Sequence, residues 1–309
     1  MLDINAEIGK LDWSREPKGL YEPIGYTLAA GGKRMRPRLA ILAAQLFGGK
    51  VEDVLPAALA LEVFHNFTLL HDDVMDKATV RRGRPTVHVK WNENTAILSG
   101  DQMMIEAYKL LSQVPEKKLA KTLRLFNKMA TEICEGQQYD VDFESRDDVT
   151  IPEYMEMIRL KTSVLLATAL QIGAYIGYAN DEQQKKIYEY GIHVGLAFQI
   201  QDDMLDCYGD EATFGKAIGG DIAENKKTYL WLTAAAKGAK DELAMRIESR
   251  EERFKRVMAV YKRLRVKAVA QKEIAKQTDA ALACLEDLPQ NDYTEQLRAL
   301  ARKLADRTK

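Results

Sequence analysis

Residues 55–76 read LPAALALEVFHNFTLLHDDVMD. Leu55, Leu59, Val63, Phe67 and Leu70 fall three or four apart, the spacing that gathers side chains on one face of an α-helix. Leu39, Leu42 and Leu46 repeat it upstream, and sustained period-two alternation is scarce along the chain. The chain is therefore expected to be all-α. Leu160 to Tyr178 (LKTSVLLATALQIGAYIGY) is nearly apolar on every side, as a helix at the centre of a large bundle would be. Between Lys237 and Lys276 dense mixed charge rides on a thinner apolar stripe, which predicts solvent-facing outer helices.

Length alone, 309 residues, fits two average domains or one large helical one. No Pro-, Gly- or Ser-rich stretch divides the chain and its 8 prolines are scattered, so a single domain over 1–309 is expected. A hydrophobic fraction of 46% and a charged fraction of 29% are those of an ordinary soluble globular protein. The net charge of -1 argues against a nucleic-acid partner, which demands a basic surface. Cys134, Cys207 and Cys284 form no CxxC pair, so neither a zinc site nor a disulfide framework is expected, and a reducing, cytoplasmic location fits. The N-terminus MLDINAEIGKLDW has no basic segment leading an apolar run, and no apolar stretch reads as reaching the ~18 residues that span a bilayer, so no transmembrane segment is expected.

The run that opens this reading ends in Asp-Asp-x-x-Asp, and FTLLHDDVMD at 67–76 is echoed by AFQIQDDMLD at 197–206. Asp72 and Asp76 fall one helical turn apart on a common face, as do Asp202 and Asp206, with Asp73 and Asp203 beside them. Like charges so placed destabilise a helix by roughly 0.2–0.5 kcal/mol, and a divalent cation offsets them. All-oxygen donors with no His or Cys in the cluster favour a hard ion, and Mg²⁺ takes a few carboxylates plus phosphate oxygens and water. One such motif alone also reads as a solvated, acid-rich helix end. The second copy shifts the balance, because both are trailed by basic residues: Arg81 and Arg82 after the first, Lys216, Lys226 and Lys227 after the second. An EF-hand is excluded, since the alternating ligands, central Gly and terminal Glu are missing.

GGKRMRP at 31–37 sets Lys33, Arg34 and Arg36 behind two glycines and ahead of Pro37, a residue suited to a first helical turn. Such a loop can offer side chains and helix amides to an anion, and it can equally be a surface turn. RRGRPTVH at 81–88 adds arginine forks matched to phosphate oxygens. His65, about two turns before Asp72, is either a satisfied core residue or a neighbour of a bound diphosphate. Lys161-Thr162 stand inside the most apolar helix, where an unpaired ammonium is costly and a bound diphosphate would remove the cost.

Taken together, GGKRMRP, HDDVMD with RRGRPTVH, Lys161-Thr162, FQIQDDMLD and GKAIGGDIAENK resemble, in order, the motifs of the trans-isoprenyl diphosphate (polyprenyl) synthase family from about Gly31 to about Lys227. The resemblance implies the all-α isoprenoid synthase fold, a single large helical bundle around a central cavity. It implies that Lys33, Arg36, His65 and Arg82 hold isopentenyl diphosphate and that Arg81, Lys161, Lys216 and Lys226 hold the allylic diphosphate (dimethylallyl, geranyl or farnesyl). Asp72, Asp76 and Asp202 would be direct magnesium ligands, Asp73, Asp203 and Asp206 their supports, with about three ions bound and Mn²⁺ able to substitute. Thr162, Gln199 and the Lys161 carbonyl region would face an allylic carbocation, and no protein nucleophile is needed. Frequent Gly-Lys in the family is Asn225-Lys226 here, which keeps the lysine. A homodimer is implied by the resemblance alone.

Residues just upstream of the first motif floor the product cavity in such enzymes, here Phe67 and Thr68. One aromatic, with no insertion in DDVMD, resembles a geranylgeranyl (C20) more than a farnesyl (C15) arrangement, while Phe67 can also be core packing. A longer-chain polyprenyl synthase and a non-catalytic subunit retaining the fold are the alternatives. The second DDxxD and GGKRMRP argue against a class I terpene cyclase. The last residues, KLADRTK, form a basic tail of unassigned role.

Overall fold

Helix formation follows the apolar periodicity almost throughout the computed structural model, which describes residues 2–209, 218–245, 247 and 249–305. In chain order the helices are α1 (Ile4–Gly9), α2 (Lys18–Leu28), α3 (Met35–Leu46), α4 (Val51–Met75), α5 (Val87–Lys90), α6 (Glu93–Leu111), α7 (Glu116–Ser145), α8 (Ile151–Ile158), α9 (Val164–Ile176) and α10 (Asp181–Tyr208). There follow α11 (Gly220–Ala223), α12 (Tyr229–Ala234), α13 (Lys240–Ala244), α14 (Arg250–Arg263), α15 (Val266–Cys284) and α16 (Asp292–Ala305). The expected all-α class is observed. Among the described residues the strands are β1 (Val80–Arg81) and β2 (Arg84–Pro85), an antiparallel pair with Arg81 opposite Arg84. The sequence reads this stretch as a loop; it is a tight hairpin because Arg82 (φ 52°) and Gly83 (φ 72°) both take the left-handed conformation that two-residue hairpin turns require.

The chain forms two compact units, Met1–Phe126 with Ala169–Gln184, and Asn127–Thr168 with Lys185–Lys309. In the first unit α4 is the central element and packs against α3 and α6. Glu52 and Asp53 in its first turn complement the helix dipole. Its burial exceeds the stripe read from sequence: residues 57–64 are buried on every side, Glu62 included. Each Leu or Phe so buried contributes roughly 1.5–3 kcal/mol against the unfolded chain. By length and composition alone α4 passes as a bilayer-spanning helix, contrary to the sequence reading, but 61% of its most apolar window lies buried inside the protein.

In the second unit, Tyr154, Ile158, Ile200, Tyr229, Trp231 and Tyr261 anchor one hydrophobic cluster. Over the described residues of the charge-rich 237–276 region, Leu243, Val257, Val260 and Ile274 turn inward while the lysines and arginines stay largely exposed, as expected of outer helices. The buried stretch from 160 to 178 is not one regular helix. Arg159–Ser163 is a π-helical turn, in which the Val164 amide bonds back five residues to the Arg159 carbonyl before α9 begins. Such turns interrupt α-helices mostly at functional sites.

Candidate active site

The first unit gathers a basic cluster around His65. At the N-cap of α3 Arg34 takes a left-handed turn (φ 48°, ψ 44°), and Pro37 stands in the first turn, as its sequence position predicts. Lys33 is exposed, Arg36 half-buried, and Arg34 turned wholly inward. Arg82, on the hairpin turn, donates through Nη1 to the Gly31 carbonyl. A methyl group on Gly32, itself at φ 132°, would lie 3.1 Å from the Arg82 guanidinium carbon, so the guanidinium would have to give way slightly.

Burial, and then the charges of Arg36, Arg82, Arg81 and Arg34 in that order, hold the His65 imidazole well below its usual pKa and keep it neutral. Arg36 is itself pushed down to about 10 by burial and by Arg82, with Glu62 opposing the shift. Its Nε is buried without a hydrogen-bond partner. A neutral imidazole among guanidiniums, one bearing an orphaned N–H, is a site prepared for a multiply charged anion.

The first aspartate motif closes α4. The Asp76 amide bonds to the Asp72 carbonyl at 2.8 Å, so the one-turn spacing of the two is realised. Asp72 is half-buried and Asp76 exposed, whereas Asp73 is buried and receives Arg81 Nε at 2.7 Å. Burial raises the Asp73 pKa and the Arg81 charge opposes that rise.

Upstream, Phe67 belongs to an aromatic ladder: its ring lies 4.8 Å from His71 and 5.3 Å from Phe64, which meets Phe126 at 5.0 Å, which in turn meets Tyr108 at 5.2 Å. Thr68 donates its hydroxyl to the His65 carbonyl at 2.9 Å.

In the second unit the π turn sets Lys161 and Thr162. Backbones pack closely around it: a methyl on Gly136 of α7 would come within 2.4 Å of the Lys161 nitrogen, and one on Gly195 of α10 within 2.6 Å of Ser163. Lys161 is not the unpaired ammonium the sequence suggests, since its Nζ lies 2.6 Å from Asp140 Oδ2 on α7. Thr162 donates to Gln199 Oε1 at 3.1 Å, and Gln199 Nε2 donates to Asp203 at 3.2 Å. Asp203 also accepts the Tyr154 hydroxyl at 2.5 Å and the Tyr229 amide at 3.1 Å. Burial raises Asp203 to about 7, against the pull of those hydrogen bonds.

Asp202 is half-buried on α10. Asp206 accepts the Gly220 and Asp221 amides at 3.2 and 3.1 Å, so it fixes the start of α11. Lys226 pairs with Glu224 at 3.2 Å and lies near Asp221. Lys216 lies outside the described residues, as does the end of the basic tail, 306–309.

In both motifs, then, the middle aspartate (Asp73, Asp203) turns inward to a hydrogen-bonding partner while the first (Asp72, Asp202) stays accessible. Sequence reasoning missed Glu62, Asp140, Tyr154 and Asp221. The last is raised to about 8 by burial and by the charges of Asp203 and Asp206. Of these, only Asp221 lay within a motif that carries the resemblance, GKAIGGDIAENK, five positions before Lys226.

Comparison with known proteins shows the family. Residues 17–264 match the Polyprenyl synthetase family. A geranylgeranyl diphosphate synthase of Methanosarcina mazei is 46% identical over 239 residues, 77% of this chain and 74% of that protein. A geranylfarnesyl diphosphate synthase of Natronomonas pharaonis is 42% identical over 242 residues, 72% of this chain and 71% of that protein. A crystal structure of a geranylgeranyl pyrophosphate synthase superimposes with a TM-score of 0.92 at 44% identity, covering 99% of this chain and 96% of that one. The chain belongs to the polyprenyl synthetase family and is a prenyltransferase of its short-chain trans type.

Proposed function

We propose that the protein condenses isopentenyl diphosphate head to tail (1'-4) with allylic diphosphates and releases geranylgeranyl (C20) diphosphate as its main product. The observation that carries this reading is the neutral His65 set among Arg36, Arg82, Arg81 and Arg34, a cluster whose positive charge calls for a diphosphate. Lys33, Arg36, His65 and Arg82 hold the isopentenyl diphosphate. Arg81, Lys161, Lys216 and Lys226 hold the allylic one.

Enzymes of this family use a divalent metal. The donor set fits magnesium, being carboxylates alone, with Asp72, Asp76 and Asp202 as ligands and Asp73, Asp203 and Asp206 behind them. Magnesium completes its shell with diphosphate oxygens and water around a few carboxylates. About three ions fit the resemblance, and Mn²⁺ is an expected substitute. When bound, the metal neutralises the departing diphosphate.

The protein's own groups do the rest. Lys161, held by Asp140, orients the allylic diphosphate; the Thr162 hydroxyl and Gln199 present oxygen dipoles to the developing allylic cation; apolar helix faces keep water from quenching it. Released diphosphate takes the final proton.

C20 is preferred over C15 because Phe67 is the one aromatic among the two chain-length positions and DDVMD carries no insertion. The identity to a geranylfarnesyl synthase keeps a longer product as the second reading. We take 1–309 as one catalytic domain, working in the cytoplasm as a homodimer, on the strength of the family resemblance. Retention of Asp72, Asp76, Asp202, Lys33, Arg36 and Lys161 speaks against a non-catalytic subunit. The test is incubation with labelled isopentenyl diphosphate and dimethylallyl, geranyl or farnesyl diphosphate in turn, followed by product chromatography. Condensation to C20 supports the assignment, and no extension of any primer sinks it.

A further inference from the structure

Arg34 and Glu62 form a buried ion pair that no step of the condensation uses. Both side chains are 2% exposed, and Arg34 Nη1 lies 2.7 Å from Glu62 Oε1. Arg34 is held on two further sides, by Nη2 to the Leu28 carbonyl at 2.5 Å and by Nε to Asn5 Oδ1 at 3.1 Å. Asn66 Nδ2 bonds Glu62 Oε1 at 3.1 Å. Asn5 arrives on α1, whose Ile4 and Ile8 are buried beneath it.

A buried pair is a weak source of net stability, because desolvating two ions consumes most of their attraction. What it supplies is geometry. Arg34 occupies the left-handed region, which a non-glycine residue keeps only when its surroundings over-determine it. In the chain it stands between Lys33 and Arg36, so its backbone sets the direction in which both leave the loop.

We propose that Asn5, Arg34 and Glu62 are positioning residues for isopentenyl diphosphate: α1 and α4 together lock the left-handed turn at Arg34 and so aim Lys33 and Arg36. This rests on the reading that Lys33 and Arg36 hold that diphosphate. Glu62 acts in a second way, since its charge supports the protonated forms of Arg36 and Arg82. The N-terminal helix is then part of the binding apparatus.

The test measures KM for isopentenyl diphosphate and for the allylic substrate separately, with kcat, in full-length Asn5→Ala, Glu62→Gln, Glu62→Asp and Lys33→Ala enzymes. Asn5→Ala is expected to raise KM for isopentenyl diphosphate about threefold and Glu62→Gln about tenfold or more, with the allylic KM within about twofold of wild type. Glu62→Asp should recover part of the loss. Glu62→Gln leaves Arg34 without its counter-charge and can fail to fold; Asn5 sits on an exposed helix face, so its variant keeps the test alive. If Lys33→Ala raises the isopentenyl KM while Asn5→Ala leaves it unchanged, or moves both KM values equally, the positioning role is overturned and the loop assignment stands. If Lys33→Ala itself leaves that KM unchanged, the loop assignment fails.

Discussion

The Lys161 ammonium, carried on the π-helical turn between α8 and α9, lies 2.6 Å from the Asp140 carboxylate of α7. Asp140 fixes the direction of a flexible cation that otherwise samples many rotamers. Asp140→Asn is expected to lower kcat/KM for the allylic substrate about tenfold or more, the value of a charge-assisted hydrogen bond, with little change in the isopentenyl KM. Steady-state kinetics with each substrate varied in turn checks it; an unchanged allylic kcat/KM would mean that Lys161 is set by the turn alone.

Asp72 and Asp73 are neighbours with opposite surroundings, the first accessible and the second buried on Arg81. Asp72→Asn should therefore cost activity, by about a thousandfold in kcat if it is a metal ligand, and leave the melting temperature nearly unchanged. Asp73→Asn breaks a largely buried ion pair and should lower both, with a stability loss of about 1–3 kcal/mol. Thermal melts run beside the kinetics separate the two; a destabilised Asp72→Asn protein contradicts the division of labour.

Phe67 joins His71 to an aromatic ladder that runs through Phe64 and Phe126 to Tyr108. Removing its ring opens space where the growing chain is proposed to stop, so Phe67→Ala should shift the main product to C25 or longer. Chromatography of the dephosphorylated products reads this directly. A variant that still stops at C20 assigns Phe67 to core packing.

Protonation of His65 in the free protein is opposed by burial and by the surrounding guanidiniums, so its folded pKa lies well below 6.5 while the unfolded chain titrates near the ordinary value. Below about pH 6.5 the unfolded state thus binds more protons at this residue, and the stability that neutral His65 contributes is present above that pH and lost as pH falls, by up to about 1.4 kcal/mol per unit. Melts from about pH 7.5 to 5.5 should show a steeper decline for wild type than for His65→Asn. Parallel declines would place the titrating group elsewhere.

Much of this was legible in the sequence because it was periodic or chemically costly. The i, i+4 aspartates in two matching contexts required a partner, and the helical spacing of Leu55, Leu59, Val63 and Leu70 required an apolar face. What escaped depended on tertiary pairing. Glu62 reads as surface by residue type and is buried because Arg34, 28 positions away, meets it. Asp140 carries no local signal, since its partner stands 21 residues on. The π turn at Arg159–Ser163 looks like any apolar helix until α7 and α10 close on it through Gly136 and Gly195. Arg82-Gly83 reads as a loop because an arginine is an uncommon choice for the positive φ its hairpin demands.

The most direct test of the central claim is a metal-replacement assay on the wild-type enzyme: chelate with EDTA, add back Mg²⁺ or Mn²⁺ in steps, and follow conversion of labelled isopentenyl diphosphate and farnesyl diphosphate to C20 product. No product is expected in EDTA, recovery is expected with either ion, and none for Asp72→Asn or Asp202→Asn at the same metal concentrations. Product formation that persists in EDTA, or that survives in both aspartate variants, would contradict metal-dependent condensation at these aspartates.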